Sequence, residues 1–152
     1  DRAARPDVRQ GLEIRAAVEI EAAGLAARRR TDDHLKMIEA TLQAQERAHD
    51  AVEASTADFN FHRAIATATG NPRFLQFLDE LGLSLIPRRR LRAVAQSAEQ
   101  DATYVAMLLA EHRTIARAIE QGDAGLARDA MRQHLSGSAR RYQQAGKEAD
   151  QA

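Results

Sequence analysis

The order of apolar and polar positions along this chain is helical almost throughout. From Val8 to Arg30, Leu12, Val18, Ala22, Leu25 and Ala26 recur near the helical period, with the charges Glu13, Arg15, Glu19 and Glu21 between them. Pro6-Asp7 suits the entry to this helix, and Arg28-Arg29-Arg30 place cations at its negative end. Thr31-Asp32-Asp33 reads as a new N-cap, and Leu35, Ile38 and Leu42 give a second stripe that fades near His49-Asp50. A third helix is predicted from about Ala51 to Thr69, stopped by Gly70-Asn71-Pro72. Pro72 opens a fourth, the most apolar of all, with Phe74, Leu75, Phe77, Leu78, Leu81, Leu85 and Ile86; Pro87 should kink or end it. The polar stretch Ala95 to Glu99 is expected to be a loop. A fifth helix runs from about Gln100 to Glu120 and stops at Gln121-Gly122. Asp123 caps a sixth that reaches about Gln144, and the tail Lys147 to Ala152 is expected to fray. No segment reads as a strand, so the predicted fold class is all-α, an antiparallel bundle of about six helices.

Composition narrows the picture. The 152 residues fit one domain, residues 1–152, with an ordered core of about 8–142. Hydrophobic residues at 44% and charged residues at 29% exclude a disordered chain, and aromatics at 4% with no Trp disfavour a sheet. Lys+Arg and Asp+Glu are equal at 22 each, which excludes a whole-domain polycation for nucleic acid. With no Cys there are no disulfides, zinc ribbons or thiol chemistry. The longest apolar stretch, Tyr104 to Ala110, is far short of the ~20 residues of a bilayer span. No secretory signal is visible, so no membrane partner and a cytoplasmic location are expected. Phosphate-cradling glycine motifs, a HExxH zinc motif and a nucleophile elbow are all missing. Glu46-x-x-His49 matches half of a di-iron site without its second half. The arginine clusters, 28–30 and Arg88 to Arg90 with Arg92, read as solvated helix ends.

Three of the five histidines sit oddly. His112 falls on the apolar face made by Val105, Leu108, Ile115 and Ile119. His134 shares a face with Ala127, Ala130 and Met131, and His62 with Phe59, Ile65 and Ala66. Asp58 lies one turn before His62, on the same face. Buried imidazoles and a buried carboxylate need partners. The four groups satisfy one another if they share a divalent metal, and three imidazoles with one carboxylate suit zinc, nickel, manganese or iron. They are satisfied equally if each histidine bonds a backbone carbonyl and Asp58 faces solvent. His34 and His49, on mixed faces near helix ends, are expected at the surface.

Five short motifs in order resemble the FCD domain, the C-terminal ligand-binding domain of FadR-type regulators in the GntR family. Leu12-Glu13-Ile14-Arg15 with Glu19 and Leu25-Ala26-Ala27 is similar to the family's first helix. Asp58-Phe59-Asn60-Phe61-His62 resembles its D-x-x-F-H element, and Thr69-Gly70-Asn71-Pro72 the turn that follows. Glu111-His112-Arg113 with Ala118-Ile119 and Gly122-Asp123, then Ala127, Met131 and His134-Leu135, complete the likeness, which covers about residues 8 to 142.

The resemblance implies an all-α antiparallel bundle with a metal held inside it by Asp58, His62, His112 and His134. Zinc is the leading candidate, with nickel, manganese or iron as alternatives. It implies an effector-sensing domain, binding a small organic acid, in a homodimeric regulator. An upstream N-terminal winged helix-turn-helix, absent from this chain, would bind operator DNA. Arg15 is the candidate clamp for the effector carboxylate or else a surface partner of Glu19. Asn71 is a candidate effector residue or a helix cap, and Tyr104 a candidate cavity wall. The rival readings are a metal-dependent hydrolase-like enzyme and a purely structural metal in a helical module. The enzyme lacks an obvious general base, because Glu111 points about 100° away from His112 on the helix wheel.

Overall fold

A computed structural model describes residues 8–84 and 98–151. These form six helices: α1 (Val8–Arg29), α2 (Asp32–Arg47), α3 (Ala51–Ala68), α4 (Pro72–Ser84), α5 (Ala98–Glu120) and α6 (Ala124–Gln151). No strand occurs among the described residues. The helix ends have local causes. Thr31 Oγ1 accepts from His34 N at 3.2 Å while His34 Nδ1 accepts from Thr31 N at 3.1 Å, a reciprocal cap that gives His34 a structural task. Asp50 Oδ1 accepts from Glu53 N at 2.8 Å and Asp123 Oδ1 from Leu126 N at 3.0 Å, starting α3 and α6. Gly70 and Gly122 adopt φ of 70° and 72°, the left-handed turn that lets α3 and α5 stop and the chain reverse.

The predicted helices are found within the described residues, with three differences, two at helix ends and one in burial. Ala98 and Glu99 are already helical rather than loop, and α6 continues to Gln151 instead of fraying after Gln144. Proline is absent from that last stretch, and Gln144 Nε2 donates to Glu148 Oε1 at 3.2 Å one turn on. The third difference is in α1. Leu12, Val18 and Leu25 are only half-buried, whereas Arg15 and Glu19 are buried among Ala22, Ala23, Ala26 and Ala27. A face of alanines lets neighbouring helices come close, and the two long polar side chains fill the space between them. Pro87, the Leu85-Ile86 pair and the cluster Arg88 to Arg92 lie outside the described residues.

The core joins α1, α2, α3, α5 and α6 through Ile38, Leu42, Phe61, Ile65, Ile115, Ile119 and Met131 around the α1 alanines. Of the apolar α4 side chains, Leu78 alone is fully buried among the described ones. The first arginine cluster serves neighbouring helices. Arg29 Nη1 donates to Thr69 O at 3.0 Å, and Arg30 donates to Ile119 O at 2.9 Å and Glu120 O at 2.8 Å. These bonds satisfy C-terminal carbonyls of α3 and α5 that have no partner within their own helix.

Candidate metal centre

Five of the six helices build one polar cluster within this core. Asp58 and His62 come from adjacent turns of α3, His112 from α5 and His134 from α6. One carboxylate oxygen and three imidazole nitrogens lie within 4.8 Å of one another. His62 Nε2 is 3.4 Å and His112 Nε2 3.2 Å from Asp58 Oδ1. His112 Nε2 is 3.2 Å from His134 Nε2. All three rings are buried, and Phe61 stacks on His112 with centroids 4.2 Å apart. Asp58 is half-buried rather than exposed.

The other edge of each ring decides its protonation. His62 Nδ1 bonds the Glu19 carboxylate. His112 Nδ1 bonds Gln45 Oε1 at 2.7 Å, and His134 Nδ1 bonds Glu111 Oε1 at 2.7 Å. All three partners are acceptor oxygens, so each Nδ1 carries the proton. In its neutral form each ring then presents its Nε2 lone pair to the centre. The lone pairs of His112 and His134 face each other beside an anionic carboxylate. Such an arrangement is repulsive unless a proton or a metal cation sits among them. The donor set fits a divalent transition metal, and oriented imidazoles of this kind are how proteins prepare such a site.

The electrostatics follow from burial set against these partners. Burial pushes the Glu19 carboxyl up, but Arg15 and His62 outweigh it and bring it down to about 2. Burial likewise opposes the Asp58 carboxylate, and the neighbouring His112 and His62 rings hold it well below its usual range. Burial drives His112 down to about 4 and His134 in the same direction. His62, also lowered by burial, is raised overall by Glu19 and Asp58. Without metal, His62 is therefore the ring that best keeps a second proton.

The four ligands expected from the sequence are thus brought together, and none of the three rings takes a backbone carbonyl. Arg15 is not a surface residue: it is buried and bonds Glu19 through Nε. Tyr104 lies under Arg141, whose Cζ is 5.8 Å from the ring centre, and Arg141 in turn bonds Glu111 at 3.0 Å. Asn71 is exposed, and its Oδ1 accepts from Arg73 N at 3.0 Å at the start of α4. That is a cap, not a contact with the cluster. His49 is exposed and Glu46 pairs with Arg113, so their half-motif forms nothing.

Sequence reasoning missed Glu19, Gln45 and Glu111. Gln45 had a readable sign, since it follows Ile38 and Leu42 on their apolar stripe just as His112 lies on its own. Glu19 carried the same sign among the α1 alanines. Glu111 carried none, because its orientation depends on how α5 meets α6.

A profile of the FCD domain matches residues 10–137, which include all four residues of the cluster and every Nδ1 partner. The chain belongs to the FCD domain family. The HTH-type transcriptional regulator LutR of Bacillus subtilis (strain 168) is 33% identical to it over 134 residues, 87% of this chain and 60% of that protein. The protein described as regulating the L-lactate dehydrogenase operon of Escherichia coli (strain K12) is 37% identical over 130 residues, 82% of this chain and 47% of that protein. The FCD chain spans about half the length of the curated relatives it matches. Among solved structures, Streptococcus agalactiae GntR superposes with a TM-score of 0.65 at 27% identity, over 86% of this chain and 57% of that one. Escherichia coli McbR/YncC does so with a TM-score of 0.73 over 90% of this chain and 68% of that one; at 21% identity it shows the shared fold alone. The domain is therefore that of GntR-family transcription regulators, and the curated relatives it matches are regulators, not enzymes. Glu111, which precedes His112 in sequence, is bonded to His134 and Arg141.

Proposed function

We propose that this FCD domain is the effector-sensing half of a GntR-family regulator, and that Asp58, His62, His112 and His134 hold a divalent transition metal. The observation that carries the reading is the convergence of three Nε2 lone pairs on Asp58 while every Nδ1 is proton-committed elsewhere. Zinc fits this donor set best, with nickel, manganese or iron as alternatives. Bound there, the ion would offer its remaining coordination positions to oxygen ligands. The effector is a small organic acid; a hydroxy acid offers a carboxylate and a neighbouring hydroxyl, in keeping with the lactate operon named for the Escherichia coli relative. Arg15 holds Glu19 through Nε and keeps its Nη end for the effector carboxylate. Tyr104 acts behind Arg141, as part of the wall rather than as a contact of the metal ligands.

In the whole regulator the domain would work in the cytoplasm as a homodimer, with a winged helix-turn-helix on operator DNA. Effector binding shifts DNA affinity only as far as it favours one of two arrangements. The test is elemental analysis of the purified domain beside His112→Ala. About one equivalent of transition metal, lost in the variant, supports the reading. Absence of metal in both, with no uptake of added Zn²⁺ or Ni²⁺, overturns it.

A further inference from the structure

The three Nδ1 partners are unlike. Glu19, on the far edge of His62, is an acid paired with Arg15, and both are buried. Glu111, on the far edge of His134, is an acid paired with Arg141 at 3.0 Å. Gln45, on the far edge of His112, is a neutral amide only 2% exposed, on the apolar side of α2 with Ile38 and Leu42. Behind a metal-binding imidazole a carboxylate adds a negative charge. A side-chain amide accepts the same proton without adding one.

That difference sets the charge of the centre. Glu19 is balanced by Arg15 and Glu111 by Arg141, and an imidazole whose Nε2 binds a metal through its lone pair is neutral. Asp58 is then the one unbalanced charge among these groups. A divalent ion beside a single carboxylate leaves one positive charge in excess. Among buried rings such an excess is costly until an anion joins it. Gln45→Glu would cancel the excess.

We propose that Gln45 is a specificity-determining residue. By keeping the far edge of His112 neutral, it leaves the loaded centre one positive charge in excess, so that the open positions take an anion in preference to a neutral molecule. This rests on the metal reading above.

The test compares the wild-type domain with Gln45→Glu, a substitution of nearly the same shape that keeps an oxygen for His112 Nδ1. Co²⁺ is titrated first and followed by its visible spectrum; azide is then titrated into the Co²⁺-loaded proteins. In Gln45→Glu, azide affinity should fall about tenfold, the equivalent of ~1.4 kcal/mol, as expected when one buried charge is added near another. Co²⁺ affinity should rise, because the added charge attracts the cation. A change of charge moves the two ligands in opposite directions, whereas a distorted site loses both. If Gln45→Glu does not fold by circular dichroism, Glu111→Gln removes a charge behind His134 instead, and azide should bind more tightly. Azide affinity within threefold of wild type in Gln45→Glu, a parallel loss of azide and Co²⁺, or no tighter azide binding in Glu111→Gln overturns the proposal. Co²⁺ uptake without these azide shifts overturns the role of Gln45 and leaves the metal reading standing; no Co²⁺ uptake by any of the proteins overturns both.

Discussion

Glu111→Ala tests the proposed metal centre separately from the fold. Glu111 accepts the His134 Nδ1 proton at 2.7 Å and pairs with Arg141 at 3.0 Å. The side chains of that ion pair are 27% and 25% exposed, so its loss is worth ~0.2–1 kcal/mol. For a domain of this size 1 kcal/mol moves Tm by roughly 2–4 °C, and the fold survives. The metal centre loses more. Without an acceptor on Nδ1, His134 is free to turn or to put its proton on Nε2. Losing such a partner weakens metal binding roughly 10–100-fold, or ~1.4–2.7 kcal/mol. Glu111→Gln should restore most of that affinity, because the Gln45 amide already serves His112 in the same way at 2.7 Å. The assay is competition for Zn²⁺ against a chromogenic chelator, with thermal melts of the metal-free proteins as the control. Zn²⁺ affinity within threefold of wild type in Glu111→Ala, or no difference between the two substitutions, would refute the argument.

Other outcomes follow from the same geometry. Zn²⁺ at about a hundred times its Kd should stabilise the domain by ~2.7 kcal/mol, a Tm rise of roughly 5–10 °C in differential scanning calorimetry, absent in His112→Ala. The metal-free domain should lose stability as pH falls from 6.5 toward about 4. His112 takes a proton in the unfolded chain near 6.5 but in the fold only near 4, and His134 is shifted the same way. His62 has the opposite sign: its contribution is full below 6.5 and is lost only as pH rises through its raised folded value, so it does not offset that fall. Melts with chelator at pH 6.5 and 4.5 check this, and equal Tm values would contradict it. Ile115→Ala, at a fully buried position, should cost ~2–5 kcal/mol in urea unfolding.

Much of this protein is written locally. Thr31, Gly70, Gly122 and Asp123 mark helix ends because capping and left-handed turns depend on a few neighbouring residues. Asp58 and His62 share a face by spacing alone, and His112 and His134 betray themselves as polar groups on apolar faces. What the chain does not state is which face meets which. A helical wheel gives a side chain's direction about its own axis and nothing about the register of the neighbouring helix. Arg15 therefore stood open between an effector clamp and a surface partner of Glu19 until packing buried both beside the alanine face of α1. The same register brings Glu19, Gln45 and Glu111, from three different helices, onto the three Nδ1 atoms. The sequence by itself determined the helices and the four metal-ligand candidates. Tertiary structure alone decided that three imidazoles turn their lone pairs to one point, because only packing sets the partner on the far edge of each ring.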